Sequence, residues 1–300
     1  MTKKCLDALE RITPVEFEMP SGACDAHAHV FGPYDRYPLT PDRSYTPREY
    51  LPRDFIAHLD RIGAERGVLV TGSASGFDNG SIFHALAEYP HRLRGVIIPS
   101  ADFTDDQLDS WTAAGVRGVR VNLYQLDGRK VYRSGAGLEV VEALAPRLAE
   151  RGWHLQVWFH VPDLPELLPR LERLKLPLVV DHMGRMSTAR GVGEPGFQLL
   201  CRLLADGKVW TKISGADRNT QEGPPYLDVD PFARAILDAN SEQVVWGTDW
   251  PHINYYDVGD MPDDGILTNL LLRWMPDEAT RNRVLVDNPA RLYGFHQVKT

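Results

Sequence analysis

Eight short apolar runs, separated by segments with helical spacing, constrain the fold of this chain more than any other feature. The runs are rich in Val and Ile and cover residues 23–30, 66–71, 93–99, 117–123, 153–159, 176–182, 209–214 and 243–249. Between the first two runs, Phe55, Leu59 and Ile62 fall on one face of a helix. Strands that alternate with helices pair in parallel. Eight such units in 300 residues predict a closed (β/α)₈ TIM barrel of the α/β class.

The predicted barrel is a single domain that spans residues 22–296, after an N-terminal extension (1–21) and before a tail (297–300). Two insertions, residues 31–47 and 219–229, follow the first and seventh runs. Both are expected at the C-terminal face, where barrel active sites form. Loops of this length often serve as lids or substrate walls.

Composition and charge narrow the classes of partner. The content of 43% apolar and 25% charged residues is that of an ordinary soluble protein. A net charge of −8 opposes nonspecific binding to nucleic acid or to an anionic membrane. No apolar stretch approaches the roughly 18 residues of a membrane span. We therefore expect neither a nucleic-acid nor a membrane partner, and a monomer or small homo-oligomer.

Cysteine usage and the N-terminus predict the compartment. The three cysteines, at positions 5, 24 and 201, show no metal-finger spacing and are expected to be free thiols. The first 20 residues lack the apolar core of a signal peptide. Free thiols and no export signal favour a cytoplasmic protein.

A His-x-His pair, His27 and His29, ends the first run. In a strand, residues two apart point to the same face. We therefore expect Asp25, His27 and His29 to share the face that points into the barrel mouth. Ala26 should lie on the opposite face, with the other small apolar residues of the run.

Two further ionisable residues end later runs, His182 the sixth and Asp249 the eighth. Burying an unpaired charge is costly, and residues at the C-terminal ends of barrel strands are typically catalytic. With His27 and His29, they would supply a general base and oxyanion donors. The same residues could instead hold a divalent metal. The residues alone leave this choice open.

Four motifs carry a resemblance to a known family. They are Asp25-Ala-His27-Ala-His29, Asp181-His182-Met-Gly, Trp246-Gly-Thr-Asp249-Trp-Pro-His252 and Asp287-Asn288-Pro289-Ala290-Arg291. Over residues 22–296, the sequence resembles the amidohydrolase superfamily, and within it the lactone-hydrolase branch of pyrone-dicarboxylate lactonases, sulfomuconolactone hydrolases and sugar lactonases. The resemblance implies a hydrolase acting on the carboxylic ester bond of a small anionic lactone, in catabolism of aromatic compounds or sugar acids.

The resemblance also bears on metals. Metal-rich superfamily members place Lys or Glu at the fourth strand end and His at the fifth. The corresponding residues here are Arg120 and Asn122, then Gln156 and Trp158. A two-metal site is not expected, and no cofactor is expected to be required. If one divalent metal such as zinc or manganese is bound, its ligands would be His27, His29 and Asp249. His160 stays open as a further ligand.

For a metal-free lactonase, we assign Asp249 as the base that activates water. The predicted donors to the lactone carbonyl are His27, His29 and His182, each worth roughly 3 kcal/mol in the barrier. His252 either orients Asp249 or packs beneath it.

Six residues are candidate substrate contacts: Arg120, Asn122, Arg185, Arg218, Ser75 and Tyr45. Arginines around the mouth of the barrel would suit a substrate with carboxylate or sulfonate groups, because a planar guanidinium can donate two parallel hydrogen bonds to such a group. Alternatively, each of the three arginines could form an ion pair with an acidic residue on the rim and not contact the substrate. Pyrone-dicarboxylate lactonases have an arginine where this chain has Leu126 and a tyrosine where it has Trp158. The identity of the lactone therefore stays open.

Other functions remain as alternatives. A metal-dependent decarboxylase of the same superfamily would be distinguished by metal content. A sugar-acid lactone isomerase would be distinguished by its product. A non-catalytic binding protein would bind a ligand without turnover. The chain contains no Gly-Xaa-Ser-Xaa-Gly motif, so a serine nucleophile is not favoured.

Overall fold

The computed structural model describes residues 2–126 and 128–296, and eight parallel strands in it form one sheet whose order follows the chain. The strands are β1 (Cys24–Ala28), β2 (Arg66–Val70), β3 (Leu93–Ile97), β4 (Val116–Asn122), β7 (His154–Trp158), β8 (Leu178–Val180), β9 (Val209–Lys212) and β10 (Val244–Val245). An antiparallel hairpin of β5 (Gln125–Leu126) and β6 (Arg129–Lys130) follows β4. The predicted (β/α)₈ barrel is confirmed. The predicted tail, residues 297–300, lies outside the described residues.

Helices follow the strands, and most of them cover the outside of the barrel. They are α1 (Pro52–Ile62), α2 (Gly80–Glu88), α3 (Asp105–Ala114), α4 (Leu138–Glu150), α5 (Leu164–Arg173), α6 (Pro195–Ala205), α7 (Ala216–Asn219), α8 (Asp230–Asn240), α9 (Asp264–Trp274), α10 (Glu278–Asn282) and α11 (Asn288–Tyr293). Local sequence sets where they begin. Thr104 caps α3, since its hydroxyl accepts from Gln107 N while the Gln107 side chain accepts from Thr104 N.

The core has two layers because strand residues alternate between faces. Val68 and Val70 of β2 point into the barrel and pack with Tyr293 of α11. Leu69, between them, packs in the cluster between the sheet and the outer helices. Within the described residues, no helix combines the length and apolar character needed to cross a membrane.

The ring closes where the chain beyond β10 returns to β1. Ala26 N donates to Trp246 O, and Asp249 N donates to His27 O, both at 2.8 Å. Gly247 permits this approach, because a Cβ there would lie 2.5 Å from the backbone nitrogen of His27. Closure therefore sets Asp249 beside the His-x-His pair.

The N-terminal residues pack on the loops at the C-terminal face. Cys5 N donates to Thr46 O at 2.8 Å, in the insertion after β1. Leu6 N donates to Tyr255 O at 2.9 Å, in the loop that follows Asp249. These contacts tie the residues before β1 to the rim of the barrel mouth.

Candidate active site

The four residues predicted to be catalytic meet at one point in the barrel mouth, and all four are buried. Asp249 Oδ1 lies 3.3 Å from Nε2 of His29, 3.7 Å from Nε2 of His27 and 3.9 Å from Nε2 of His182. A single carboxylate oxygen thus faces three imidazole nitrogens that come from two different strand ends.

A bulge in β1 changes the expected alternation. Asp25 and Ala28, three residues apart, pair with positions only two apart in β2. A bulge of this kind shifts every later side chain by one position. The expectation that Asp25 shares the face of His27 was wrong, and so was the outward placement of Ala26. Ala26 packs inside the barrel, and the Asp25 carboxylate accepts from His27 N and Thr248 Oγ1.

Hydrogen bonds at the other ring nitrogens fix two of the imidazoles. His29 Nδ1 lies 2.7 Å from the carbonyl oxygen of Val70. A carbonyl can only accept, so His29 Nδ1 carries a hydrogen. His182 Nδ1 lies 2.9 Å from Ser214 Oγ. Both rings are therefore held with Nε2 toward Asp249.

Two of the histidines are held neutral. Burial lowers the pKa of His182 to about 4, although the Asp249 charge opposes the shift. Burial and the nearby Lys212 charge together hold the pKa of His27 well below its usual range. A neutral imidazole can donate one N–H to a developing oxyanion without releasing a proton.

Arg218 holds the second oxygen of Asp249. Its Nε donates to Asp249 Oδ2 at 2.6 Å, and its Nη2 donates to Ile253 O at 3.2 Å. Burial opposes ionisation of Asp249, but the charge of Arg218 outweighs it and holds the pKa of the carboxyl well below its usual range. The structure thus places Arg218, a predicted substrate contact, against Asp249.

Backbone strain coincides with the candidate catalytic residues. His182 and Asp249 have φ angles of +51° and +67°. Left-handed backbone at a residue other than glycine costs of order 1–3 kcal/mol and clusters at functional sites. His252 N donates to Asp249 O at 2.9 Å, while His252 Nε2 lies 2.8 Å from Asp264 Oδ1. His252 therefore supports the turn that carries Asp249.

A polar layer lies beneath the histidines. Of its two central residues, Lys212 was not predicted from the sequence, and Asp181 was noted only as part of a motif, without a role in the site. Lys212, fully buried, places Nζ 2.9 Å from Gln156 Oε1 and 3.1 Å from His27 Nδ1. Asp181 Oδ2 accepts from Arg120 Nε at 3.0 Å. Burial lowers the pKa of Lys212 to about 8, although Asp181 opposes the shift. The available signal was a single lysine within an apolar strand run, which does not by itself say which way the side chain faces.

Aromatic side chains form one wall of the site. Trp158 stacks on Tyr124 with ring centres 5.5 Å apart and lies 5.1 Å from the Tyr132 ring. The Trp158 ring also meets the His182 ring at a steep angle, 5.7 Å away. Such a wall excludes water, which strengthens the electrostatic interactions inside the site.

Two buried donors on this wall have no partner among the described residues, Trp158 Nε1 and Asn122 Nδ2. They lie on neighbouring strands, since Asn122 pairs with Trp158 in the sheet register. The guanidinium of Arg120 sits 5.3 Å from the Trp158 ring. An unsatisfied buried donor costs about 1–3 kcal/mol. Together, Trp158, Asn122 and Arg120 are suited to bind a polar or anionic substituent of a ligand.

The three other predicted substrate contacts interact mainly with neighbouring residues of the protein. Arg185 donates to the backbone oxygen of Arg218 and lies over the Tyr124 ring. Tyr45 is fully buried, with its hydroxyl 3.5 Å from Ser73 Oγ. Ser75 is half-buried in the short turn after β2. None of these three forms a hydrogen bond or ion pair with Asp249 within the part of the chain that the structure describes.

The structure brings candidate metal ligands together. Their ligand atoms lie within 4.8 Å of one another in two groups, His27, His29 and Asp249, and His27, Asp181 and His182. His160, left open from the sequence, belongs to neither group and lies 6.3 Å from the Tyr124 ring.

The orientation of the imidazoles tests how well a metal fits. His29 Nε2 would offer a lone pair when the ring is neutral, because its Nδ1 carries a hydrogen. For His27, Nδ1 lies 3.1 Å from Lys212 Nζ, and a lone pair on Nδ1 facing the ammonium would put the ring hydrogen on Nε2, where it would block a metal. Arg218 already lies 2.6 Å from Asp249. The residues therefore fit a divalent metal incompletely.

Comparisons with known proteins agree with this geometry. The amidohydrolase family profile matches residues 24–295. The 4-sulfomuconolactone hydrolase of Rhizobium radiobacter is 39% identical over 291 residues, 97% of this chain and 96% of that protein. The D-galactarolactone isomerase of Agrobacterium fabrum is 33% identical over 282 residues, 93% of this chain and 94% of that protein.

A solved structure shows the same architecture. It is the crystal structure of a probable 2-pyrone-4,6-dicarboxylic acid hydrolase from Acinetobacter baumannii with citric acid bound. The TM-score is 0.77 at 26% identity, with 91% of this chain and 100% of that chain covered.

Proposed function

The chain belongs to the amidohydrolase family, and from this premise we propose that it hydrolyses the ester bond of a small anionic lactone. The observation that carries the proposal is the position of Asp249 Oδ1, 3.3–3.9 Å from three imidazole nitrogens, with the other oxygen held by Arg218. An ionised carboxylate beside neutral N–H donors is the arrangement that water attack on a carbonyl needs.

The reaction follows from these groups. Asp249 takes a proton from water as the water oxygen attacks the lactone carbonyl. His27 and His182 donate hydrogen bonds to the carbonyl oxygen as it becomes negative, each worth roughly 3 kcal/mol. His29 Nε2, which lies 3.3 Å from Asp249 Oδ1, can accept the abstracted proton from Asp249. The ring C–O bond then breaks, the leaving oxygen receives the proton, and the product is a hydroxy acid.

The anionic character of the substrate rests on the wall that contains Trp158. Arg120 and the unpaired donors of Asn122 and Trp158 would bind an acidic or hydroxyl substituent. Among the relatives, the names describe a sulfonated lactone and a sugar-acid lactone, and one structure holds citric acid. We propose a lactone of aromatic or sugar-acid catabolism that carries at least one such group. No metal is required in this scheme.

Isomerisation is the second candidate, because one relative of 33% identity is a D-galactarolactone isomerase. In that reaction a hydroxyl of the substrate, not water, would attack the carbonyl. Turnover in ¹⁸O-labelled water separates the two, since hydrolysis places one ¹⁸O in the product carboxylate and isomerisation places none.

The direct experiment is proton release by the purified protein on a panel of carboxylated, sulfonated and sugar lactones, with and without a strong chelator. We expect turnover that survives chelation and is abolished in Asp249→Asn. The matched control, Asp35→Asn, removes an exposed carboxylate of the insertion after β1 and should be fully active. Absence of turnover on every lactone would refute the proposal, and turnover restored only by added metal would refute its metal-free form.

A further inference from the structure

We propose that Lys212 is a positioning residue that fixes the tautomer of His27, making His27 an oxyanion donor and preventing it from binding a metal. The catalytic half of this inference rests on the proposed lactone hydrolysis. The assignment of the tautomer rests on contacts alone.

The contacts of Lys212 leave one hydrogen for His27. Its Nζ lies 2.9 Å from Ala26 O and 2.9 Å from Gln156 Oε1. Both atoms are acceptors only, and the Gln156 amide is oriented by donation of its Nε2 to Asp181 Oδ2 at 3.1 Å. An ammonium has three hydrogens, so the third points at His27 Nδ1, 3.1 Å away. That nitrogen must then accept, and it can do so only through a lone pair.

Asp181 is the competing neighbour of the same nitrogen. Its Oδ1 lies 3.2 Å from His27 Nδ1, and a carboxylate would favour a hydrogen there. Yet Asp181 Oδ1 makes no hydrogen bond to any described residue. It lies 3.4 Å from Lys212 Nζ. Asp181 therefore balances the lysine charge, and Lys212 decides where the ring hydrogen sits.

The ring hydrogen of His27 consequently lies on Nε2. This atom is buried, has no partner among the described residues, and lies 3.7 Å from Asp249 Oδ1. A substrate carbonyl oxygen placed there would accept its hydrogen bond. Metal coordination, in contrast, requires a nitrogen lone pair. While Lys212 keeps its contact, the group of His27, His29 and Asp249 lacks one of its three ligands.

The first test uses the unmodified protein. Selective ¹⁵N-histidine labelling and long-range ¹H–¹⁵N correlation report which ring nitrogen carries hydrogen, with His27→Gln to assign the signal. We expect a pyrrole-type Nε2 and a pyridine-type Nδ1 for His27. Hydrogen on Nδ1 would overturn the inference. Because the result does not depend on turnover, it stands apart from any failure of the proposed function.

The second test compares Lys212→Met with Lys208→Met, which removes an exposed lysine of the same strand region. We expect Lys212→Met to lose about 10²–10³-fold in kcat, with little change in KM, as on loss of one oxyanion donor. Calorimetry should show at least about tenfold tighter zinc binding, a shift of about 1.4 kcal/mol. Unchanged kcat or unchanged zinc affinity in a folded variant would contradict the proposal. If the variant does not fold, the tautomer measurement decides.

Discussion

Arg218 Nε donates to Asp249 Oδ2 across 2.6 Å, while the opposite oxygen of the same carboxylate faces the three histidines. Arg218 therefore holds one oxygen of the carboxylate, and the other is the reactive oxygen. The contact orients Asp249, keeps it ionised and also lowers its basicity.

This pairing predicts how activity depends on pH. With the pKa of Asp249 held below its usual range, kcat/KM should stay level as pH falls from 7 toward about 4, the ordinary carboxyl value. In Arg218→Met the loss of the positive charge raises the pKa of Asp249. The acid limb of the profile should therefore move to higher pH. The control Arg185→Met removes a guanidinium that does not touch Asp249 and should leave the limb in place. If the acid limb of the pH profile of kcat/KM did not move in Arg218→Met, Asp249 would not be the titrating base.

Replacement of His182 tests the donor role. His182→Asn removes the Nε2 that faces the site, and kcat should fall by about 10²–10³-fold. His160→Asn, outside the cluster, should retain activity. Steady-state kinetics on one lactone check both variants, and equal activities would rule out His182 as a donor.

Trp158→Phe tests the substrate-binding wall. The change keeps an aromatic ring against Tyr124 but removes the indole N–H that has no partner. A hydrogen bond to a charged group is worth about 1.5–3 kcal/mol, so KM should rise by about tenfold or more. The control Trp111→Phe alters an indole that stacks on Phe83, on the outer helices. Loss of kcat without a change in KM would contradict a binding role.

Asp264→Asn tests the support beneath Asp249. Burial opposes the ionisation of both partners. Even so, Asp264 raises the pKa of His252, and His252 lowers the pKa of Asp264. Breaking this buried pair should cost about 3–5 kcal/mol of unfolding free energy. Asp260→Asn, an exposed acid, serves as the control.

The same pair predicts where stability depends on pH. The depressed carboxyl pKa contributes stability above the unfolded value of about 3.9, and this is lost as pH falls through the folded value. The raised imidazole pKa contributes below the unfolded value of about 6.5, and this is lost as pH rises through the folded value. Urea unfolding should therefore show the largest gap between wild type and Asp264→Asn between about pH 4 and 6.5. A gap constant across pH would argue that the two residues are not an ion pair.

Much of the barrel could be predicted because its signals are local. The run 66–71 alternates residues that pack inside and outside the sheet, and Val68 and Leu69 do pack on opposite sides. His27 and His182 could be placed because strand ends gather at one face of a parallel barrel. The prediction that Asp25 shares the face of His27 was wrong. The bulge in β1 shifts the alternation of side chains between the two faces, and no local sequence pattern indicates the bulge.

Lys212 shows why other parts of the site could not be predicted. Within its own run, it is one polar residue in a strand and could equally have faced solvent. Its contacts to Gln156 and His27 span 56 and 185 positions of sequence. The register of three strands decides that these atoms meet.

The sequence by itself determined the strands, the helices and the chemical groups at the strand ends, since these depend on side-chain periodicity over a few residues. Only the tertiary structure decided which nitrogen of each histidine faces Asp249, which oxygen Arg218 holds and where the hydrogen of His27 sits. Hydrogen bonds and ion pairs form over about 3 Å. At that scale, barrel closure and strand register, not sequence spacing, set which groups interact.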